Sequence, residues 1–324
     1  TSIKQNGIMR IKASGTWLMN AESDDIMVPV ALDRLLEALA RQDPAAEKAG
    51  EFVIDNPSGL RPSIETSLHA ILPQRVVVHV HCIQTIALAV REDAETAFKE
   101  LLSGLDWIFV PYARPGLPLS RAIAKRLEPQ TNIVILGNHG LVVAGETVAE
   151  TAALLADVTR RLVQPDRAMP KPDLTALNDL IGGSAYALPS EFAAHGAATD
   201  AASCAMAAGG SLYPDHVIFL GEGSVIARSD ERACDVQARL ADQKLPDPVS
   251  ILFPGRGTVM HETASAGAQA LARCLADVTA RIPADAPLRY FTRQENDELL
   301  NWDAEKYRQA LEKRRAGGKS GDNP

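Results

Sequence analysis

The stretch PSIETSLHAILPQRVVVHVH, residues 62–81, shows the clearest change of local structure in the chain. Proline suits the first turn of a helix, Ser63 can cap that turn, and apolar residues follow at helical spacing. This pattern predicts a helix that opens at Pro62–Glu65. The β-branched run that starts at Val76 then predicts a strand. The stretch therefore predicts a helix that leads through a short connection into a strand.

Strand-like and helix-like segments alternate on both sides of this stretch. Ile8–Ile11, Ile133–Leu136 and Leu141–Val143 are predicted strands. Val28–Leu39, with leucines at helical spacing, and Glu146–Val163, with an apolar stripe, are predicted helices. Alternation of this kind indicates an α/β fold for the first half of the chain.

A proline-rich segment, VQPDRAMPKPDL at residues 163–174, is the predicted domain boundary. We predict a first domain over residues 1–163, and we expect its N-terminal segment to be missing because the chain lacks an initiator methionine. A second α+β domain is predicted over 174–315 and a disordered tail over 316–324. No internal repeat at a fixed period is found.

The second half contains two predicted strand pairs, each joined by a glycine-containing hairpin turn. Val217–Leu220 would pair with Ser224–Ala227, and Ile251–Phe253 would pair with Thr258–Met260. A polar helix is predicted around Trp302–Arg315.

Composition places the chain among globular proteins and argues against several classes of partner. The 324 residues suffice for about two domains, and 46% of them are hydrophobic. With 33 basic and 41 acidic residues, the net charge of −8 argues against a broad nucleic-acid-binding face. The longest apolar stretch, Val76–Val90, is too short and too polar to span a bilayer. Four cysteines without a C-x-x-C pair indicate reduced thiols and a cytoplasmic protein.

The placement of the histidines is the strongest chemical signal. His79 and His81 are two apart on a predicted strand, so both imidazoles project from one face, about 6.6–7 Å apart along it. A third histidine, His139, lies in the turn Gly137–Gly140, where glycines allow a close backbone approach. Three neutral imidazoles can hold a zinc-like ion and leave a position open for substrate. The alternative is that His79 and His81 are polar residues on a solvated strand face.

Glu65 is the candidate acid–base group. It lies in the first turn of the helix that leads into the histidine strand, and short connections keep such elements adjacent. The alternative is an ordinary glutamate favoured by the helix dipole. His69, one turn further along the same helical face, is predicted to have a structural role rather than to be a ligand.

Five motifs occur in the order seen in one known family. They are Ser14-Gly15, PSIE at 62–65, HVH at 79–81, PYARPG at 111–116 and NHGLVVAG at 138–145. In these motifs, residues 1–163 resemble the class II aldolase/adducin family, which includes sugar-phosphate aldolases and epimerases. The later stretch SLYPDHVIFLG is similar to the extended aldolase portion of rhamnulose-1-phosphate aldolase/lactaldehyde dehydrogenase proteins.

The resemblance implies a fold and a set of site residues. The fold is a three-layer α/β/α class II aldolase-like domain with a mainly antiparallel central sheet, followed by a smaller α+β domain. The implied ligands of a zinc ion, or of another divalent metal, are His79, His81 and His139. Glu65 and Tyr112 would be catalytic, with Tyr112 acting from a neighbouring subunit of a homo-oligomer, favoured as a tetramer. The implied phosphate-binding residues are Ser14, Gly15 and Ser63.

The resemblance also implies a reaction. This is zinc-dependent retro-aldol cleavage of a sugar phosphate or related hydroxy-keto compound through a metal-bound enediolate, with Glu65 transferring the proton. A 4-epimerase with the same chemistry and a non-catalytic adducin-like interaction module are the alternatives. Two departures bear on phosphate recognition. Ile64 stands where the family commonly has a second serine, and the family's Gly-Asn loop would precede Thr1.

Overall fold

The computed structural model describes residues 1–301. The helix predicted around Trp302–Arg315 and the tail predicted over 316–324 lie outside the described residues. The described chain divides into two compact units. Unit 1 contains residues 1–85 and 95–162, and unit 2 contains residues 86–94 and 163–301. Among residues 1–301, none of the helices combines the length and the apolar character needed to cross a membrane.

A seven-stranded sheet forms the centre of unit 1. Its strands are β1 (Ser2–Gln5), β2 (Ile8–Lys12), β3 (Met27–Ala31), β4 (Val76–Val80), β5 (Trp107–Val110), β6 (Ile133–Leu136) and β7 (Gly140–Gly145). The strand order is β3-β2-β1-β4-β7-β6-β5. Strands β5 and β6 are parallel, and every other neighbouring pair is antiparallel. The prediction of a mainly antiparallel sheet is confirmed.

Helices cover both faces of this sheet. The helices in and around unit 1 are α1 (Leu32–Ala40), α2 (Thr66–Ile71), α3 (Ile83–Ala89), α4 (Ala94–Leu101), α5 (Leu117–Ala124) and α6 (Val148–Arg161). Leu68 of α2 and Ile123 of α5 pack in one buried cluster with Val110 of β5. Phe98 of α4 lies 6.4 Å, between ring centroids, from Phe109, the neighbour of Val110 in the strand. Because successive side chains in a strand face opposite ways, α4 covers the other face, and the predicted three-layer α/β/α fold is confirmed.

Two predicted helices begin later than expected. Residues Met27–Ala31 form strand β3 rather than the first turns of a helix, since Val28 and Val30 are fully buried on one face of an edge strand. Helix α2 begins at Thr66, because Pro62 is held extended in a bridge with Ala13. The predicted strands at 8–11, 133–136 and 141–143 are confirmed, as is the helix within 146–163.

Unit 2 is built on a smaller sheet. Its strands are β8 (Tyr186–Ala187), β9 (Val225–Ile226), β10 (Ser250–Phe253) and β11 (Gly257–His261), in the order β8-β11-β10-β9. Its helices are α7 (Leu174–Ile181), α8 (Gly196–Thr199), α9 (Ala201–Ala208), α10 (Pro214–Leu220), α11 (Ala233–Asp242), α12 (Ala266–Ala280) and α13 (Arg293–Leu300). The predicted pairing of Ile251–Phe253 with Thr258–Met260 is confirmed as the β10–β11 hairpin.

The other predicted strand pair is wrong. Val217–Leu220 belongs to helix α10, which starts with Pro214 and ends before Gly221 at a φ of 97°. Every residue of α10 is buried, so the sequence lacks the polar face that distinguishes a surface helix from a buried strand. The Gly221–Gly223 segment therefore joins a helix to β9, and β9 pairs in parallel with β10.

Candidate metal centre

Four side chains from separate elements of unit 1 meet at one point. They are Glu65, His79, His81 and His139, and their ligand atoms all lie within 4.8 Å of one another. Glu65 is at the N-cap of α2, His79 is on β4, and His81 follows β4 directly. His139 is in the turn between β6 and β7. The antiparallel pairing of β4 with β7 brings that turn next to His79 and His81.

The distances within this cluster suit a single ion. The Nε2 atoms of His79 and His81 are 3.2 Å apart. Nε2 of His79 lies 3.0 Å from Oε2 of Glu65, and Nε2 of His139 lies 3.4 Å from Oε1. Two imidazole nitrogens bound to one tetrahedral zinc, at bonds of 2.0–2.1 Å, are about 3.3 Å apart. The spacing of the donor atoms therefore fits a divalent cation between them.

The hydrogen bonds of His79 support the same conclusion. Its Nδ1 lies 3.0 Å from the carbonyl oxygen of Leu141, which can only accept, so Nδ1 carries the hydrogen. In neutral His79, Nε2 then presents a lone pair to the Glu65 carboxylate, which is also an acceptor. Two acceptors 3.0 Å apart need a cation or an extra proton between them. A backbone carbonyl that fixes the tautomer in this way is typical of metal-binding histidines.

Glu65 is an anion in this site. Its side chain is buried, and burial alone would raise its pKa. When the rings carry a proton, the positive charges of His79 and His139 and the hydrogen bond from His79 outweigh burial and hold the pKa of Glu65 well below its ordinary value; a metal cation in their midst acts in the same direction. The cluster thus joins one carboxylate to three imidazoles.

Gly140 makes room for the two histidine rings. A Cβ at this position would lie 2.6 Å from the carbonyl oxygen of Val80, 3.2 Å from His81 Cδ2 and 3.4 Å from His79 Cε1. The first distance is too short for any real contact, and a backbone atom cannot move aside without displacing strand β4.

We therefore expect Gly140→Ala to destabilise the protein by about 1–3 kcal/mol and to weaken metal binding. Urea unfolding and elemental analysis measure the two effects. Gly50→Ala is the matched control, since nothing lies within 4 Å of the added methyl group there. Equal stability and equal metal content in the two variants would contradict the close packing of Gly140 against the site.

His69 lies outside the cluster. It is fully enclosed, and its Nδ1 is 2.9 Å from the hydroxyl oxygen of Ser2 on β1. Burial lowers the pKa of His69 well below its ordinary value, so the ring is neutral. His69 joins α2 to β1 and helps to fix the helix whose N-cap is Glu65.

The predicted phosphate-binding residues lie on two paired segments beside Glu65. The amide of Ser14 donates to the carbonyl of Arg61 over 2.9 Å. Ser63 Oγ accepts from the amide of Glu65 over 3.3 Å, and Gly15 turns the chain with a φ of 69°. Lys12, which the motifs did not identify, lies here with its ammonium 2.7 Å from the carbonyl oxygen of Thr16. In the sequence, the feature that could have identified Lys12 is its place directly before Ala-Ser-Gly.

Tyr112 is in the connection between β5 and α5. The resemblance implies that Tyr112 acts at the site of a neighbouring subunit, whereas the hydroxyl oxygen of Tyr112 is buried within its own chain. Glu47 holds the segment: one carboxylate oxygen accepts from Arg114 over 2.8 Å and the other from the amide of Leu117 over 3.0 Å. Two prolines and this carboxylate therefore give the connection a fixed path.

Residues 1–162 match the family model of the class II aldolase and adducin N-terminal domain. A Bacillus subtilis (strain 168) relative named uncharacterized oxidoreductase YuxG is 32% identical over 146 residues, which are 43% of this chain and 21% of the relative. The chain thus spans about a fifth of that relative's length.

Two solved structures are similar to part of the chain. One is the N-terminal class II aldolase domain of a conserved protein from Thermoplasma acidophilum, with 23% identity and a TM-score of 0.44, covering 50% of this chain and 80% of that one. The other is L-fuculose 1-phosphate aldolase, with 17% identity and a TM-score of 0.36, covering 58% of this chain and 79% of that one.

Proposed function

We propose that this chain, which belongs to the class II aldolase and adducin family through residues 1–162, is a metal-dependent lyase. In this proposal it cleaves a sugar phosphate or a related hydroxy-keto compound by retro-aldol chemistry. The observation that carries the proposal is the convergence of three imidazoles and one carboxylate within 4.8 Å. A non-catalytic interaction module has no need for this convergent, partly buried set of donors.

His79, His81 and His139 would hold the ion, and we propose zinc. A divalent cation held there supplies positive charge that stabilises the negative charge developing on the ketone and hydroxyl oxygens as the carbon–carbon bond breaks. The three imidazoles are neutral ligands, so they leave most of the charge of the ion available to the substrate. The hydrogen bond from His79 to Leu141 keeps one of these rings in the required tautomer.

Glu65 would move the proton at carbon. When the bond breaks, the electron pair stays with the carbon next to the ketone. Glu65, an anion at rest, would take up a proton from solvent and deliver it to that carbon. On the other fragment, the hydroxyl becomes the aldehyde and releases a proton. Tyr112 would relay it to solvent, giving up its own phenolic proton as it accepts this one, so the proton lost by one fragment balances the proton gained by the other. Ser14, Gly15 and Ser63 would bind the phosphate of the substrate, and their position beside Glu65 supports this assignment.

A screen of phosphorylated and unphosphorylated ketoses against zinc-loaded protein tests this function. A lyase releases two smaller fragments from its substrate. A single product of unchanged mass would instead identify an epimerase, and a metal-free protein without turnover on any ketose would identify an interaction module.

Metal content should depend on pH. Because neutral imidazole is the ligand, protons compete with the ion for His79, His81 and His139, and we expect metal to be lost below a pH of about 6. Dialysis at pH 7.5 and pH 5.0, followed by elemental analysis, measures this loss. Full retention at pH 5.0 would show that the ion is held by other donors.

The role of Tyr112 can be tested by removing only its hydroxyl. We expect Tyr112→Phe to retain assembly and metal but to slow bond cleavage by about 10²-fold or more, since it lacks the hydroxyl that would relay the proton. Turnover with a ketose substrate is the measurement. Tyr290→Phe, a half-buried tyrosine of unit 2, is the matched control and should keep normal turnover.

Mixing Tyr112→Phe with Glu65→Gln subunits shows which chain supplies Tyr112. We propose that it acts across a subunit boundary, so some sites of the mixed oligomer would contain both intact residues and activity would partly return. Because the hydroxyl of Tyr112 is buried within its own chain, only a return of activity in the mixture would establish that Tyr112 serves a neighbouring chain. A mixture as inactive as its two components would show that Tyr112 serves its own chain.

A further inference from the structure

The small sheet of unit 2 has the same construction as one half of the large sheet of unit 1. Its order is β8-β11-β10-β9, and the corresponding half of unit 1 is β4-β7-β6-β5. In both, the first two neighbouring pairs are antiparallel and the last pair is parallel. A parallel pair at the same edge of both sheets is a specific topological match.

The central hairpins of the two sheets have the same register. In unit 1, Val134 pairs with Val142. In unit 2, Ile251 pairs with Val259, and each of these residues lies 117 positions after its counterpart in unit 1. The turns match as well: φ is positive at Asn138 (52°) and at the residue 117 positions later, Gly255 (71°).

Hydrogen bonds around the hairpins repeat with the same offset of 117 residues. The amide of His139 donates to the carbonyl of Leu136 over 3.1 Å, and the amide of Arg256 donates to Phe253 over 2.9 Å. The amide of Ala144 donates to Asn132 over 2.8 Å, and that of His261 donates to Val249 over 2.8 Å. The strands, their turn and the residue just before the hairpin therefore follow one pattern in both units.

The surrounding helices repeat in order and in packing. Helices α7, α11 and α12 occupy the places in the chain of α2, α5 and α6 relative to their strands. In unit 1, Val134, Leu136 and Val142 pack against α2 and α5. Their counterparts 117 residues later, Ile251, Phe253 and Val259, pack against α7 and α11. The tetrapeptide Ala-Asp-Val-Thr occurs in both α6 and α12, at 156–159 and 276–279.

The repeat has no fixed period, which is why the sequence did not show it. The offset is 109 residues at the first strand, where Tyr186 pairs with His261 as Val77 pairs with Ala144. It is 117 in the hairpin and 120 in the last helix. Insertions between the elements shift the offset while leaving the order of the elements the same.

These registers identify the counterparts of the proposed metal ligands. His79 and His81 correspond to Leu188 and Ser190, and His139 corresponds to Arg256. Glu65 and Asp173 are the N-cap residues of α2 and α7. The amide of Asp173 donates to the carbonyl of Arg256 over 2.9 Å, so these two positions adjoin in unit 2 as Glu65 and His139 do in unit 1.

We infer that unit 2 is a second copy of the metal-binding half of unit 1 that has lost its metal site, with Leu188, Ser190 and Arg256 at the three ligand positions. Leucine has no donor atom, and the guanidinium of arginine has no lone pair to offer. Within residues 1–301, the cluster around Glu65 is the single group of histidine, cysteine and acidic side chains with metal-binding spacing. Each chain then has one metal site, in unit 1.

Rebuilding the lost site tests this inference. Ser190 and Arg256 are exposed, so Ser190→His/Arg256→His should fold, and the two imidazoles with Asp173 should bind one added zinc per chain. The background is the full chain with His79→Ala and His81→Ala. Zinc bound per chain, by elemental analysis, is compared between the variant and this background, so the result does not depend on catalysis. A larger graft adds Leu188→His and Asp173→Glu.

The matched control is Ala187→His/Pro254→His, which places two histidines on the same strand and turn but out of register. One additional zinc in the grafted variants and none in the control would support the inference. If the folded two-histidine variant binds no additional zinc, or if the control binds as much, the equivalence of the two units is wrong. Circular dichroism establishes folding, and failure of the larger graft to fold would leave the two-histidine variant as the deciding measurement.

Discussion

Replacing His79 and His81 with alanine should remove the bound metal from unit 1. The two Nε2 atoms are 3.2 Å apart, and that of His79 lies 3.0 Å from Glu65, so the pair supplies two of the three proposed imidazole ligands. With both rings removed, His139 and Glu65 remain, and two donors do not complete a closed site for zinc. The zinc content measured by elemental analysis should fall from one ion per chain to none, and lyase turnover should fall with it.

Zinc-dependent stabilisation provides a second measurement. A ligand that binds only the folded state at 100 times its Kd adds about 2.7 kcal/mol to the free energy of unfolding. We expect this gain in the wild-type chain and its absence in His79→Ala/His81→Ala. The comparison is between unfolding free energies measured with and without zinc, because loss of His79 also removes the contact at 3.0 Å from the buried Glu65 carboxylate and so changes stability by itself.

His261→Ala is the matched control. His261 ends strand β11 in unit 2, and its Nδ1 contacts Thr263, so its loss should change neither metal content nor the zinc-dependent stability. Unchanged zinc stoichiometry in His79→Ala/His81→Ala would show that the cluster is not the metal site. The proposed reaction would then lose its basis.

The parts of this site that depend on local pattern could be predicted from the sequence. The alternation of β4, continued one residue past its end at Val80, places His79 and His81 on one face, and this follows from the backbone alone. The glycine-flanked turn at His139 likewise lies between two short apolar strands, as predicted. These predictions succeed because each depends only on residues that are close together in the chain.

The parts that depend on distant contacts could not be derived in this way. The distance of 3.4 Å between Glu65 and His139 results from the packing of α2 against the sheet, and the helical pattern places Glu65 only near the histidine strand. Helix α10 shows the same limit, since complete burial removes the periodicity that identifies a helix. The match between the two units also needed strand registers, because its offset changes along the chain.

Glu65→Gln should separate proton transfer from metal binding. Glutamine keeps the size and most of the hydrogen bonding of Glu65, and its amide can donate to the lone pair of His79 Nε2, 3.0 Å away in the wild-type chain. The three imidazoles remain, so we expect metal to stay bound. An amide cannot exchange a proton with carbon, so turnover should fall by about 10²–10⁴-fold. Glu92→Gln, at an exposed carboxylate, is the control and should leave turnover unchanged.

The measurement of Glu65→Gln is made at saturating zinc, because removal of a negative charge weakens the attraction for the cation. Under that condition, a loss of turnover cannot be assigned to an empty site. The low pKa of Glu65 keeps the wild-type carboxylate ionised at neutral pH, so it can accept a proton in the direction of bond formation. If the zinc-loaded variant turns over at a near-normal rate, Glu65 has only its structural role at the start of α2, and another group must transfer the proton.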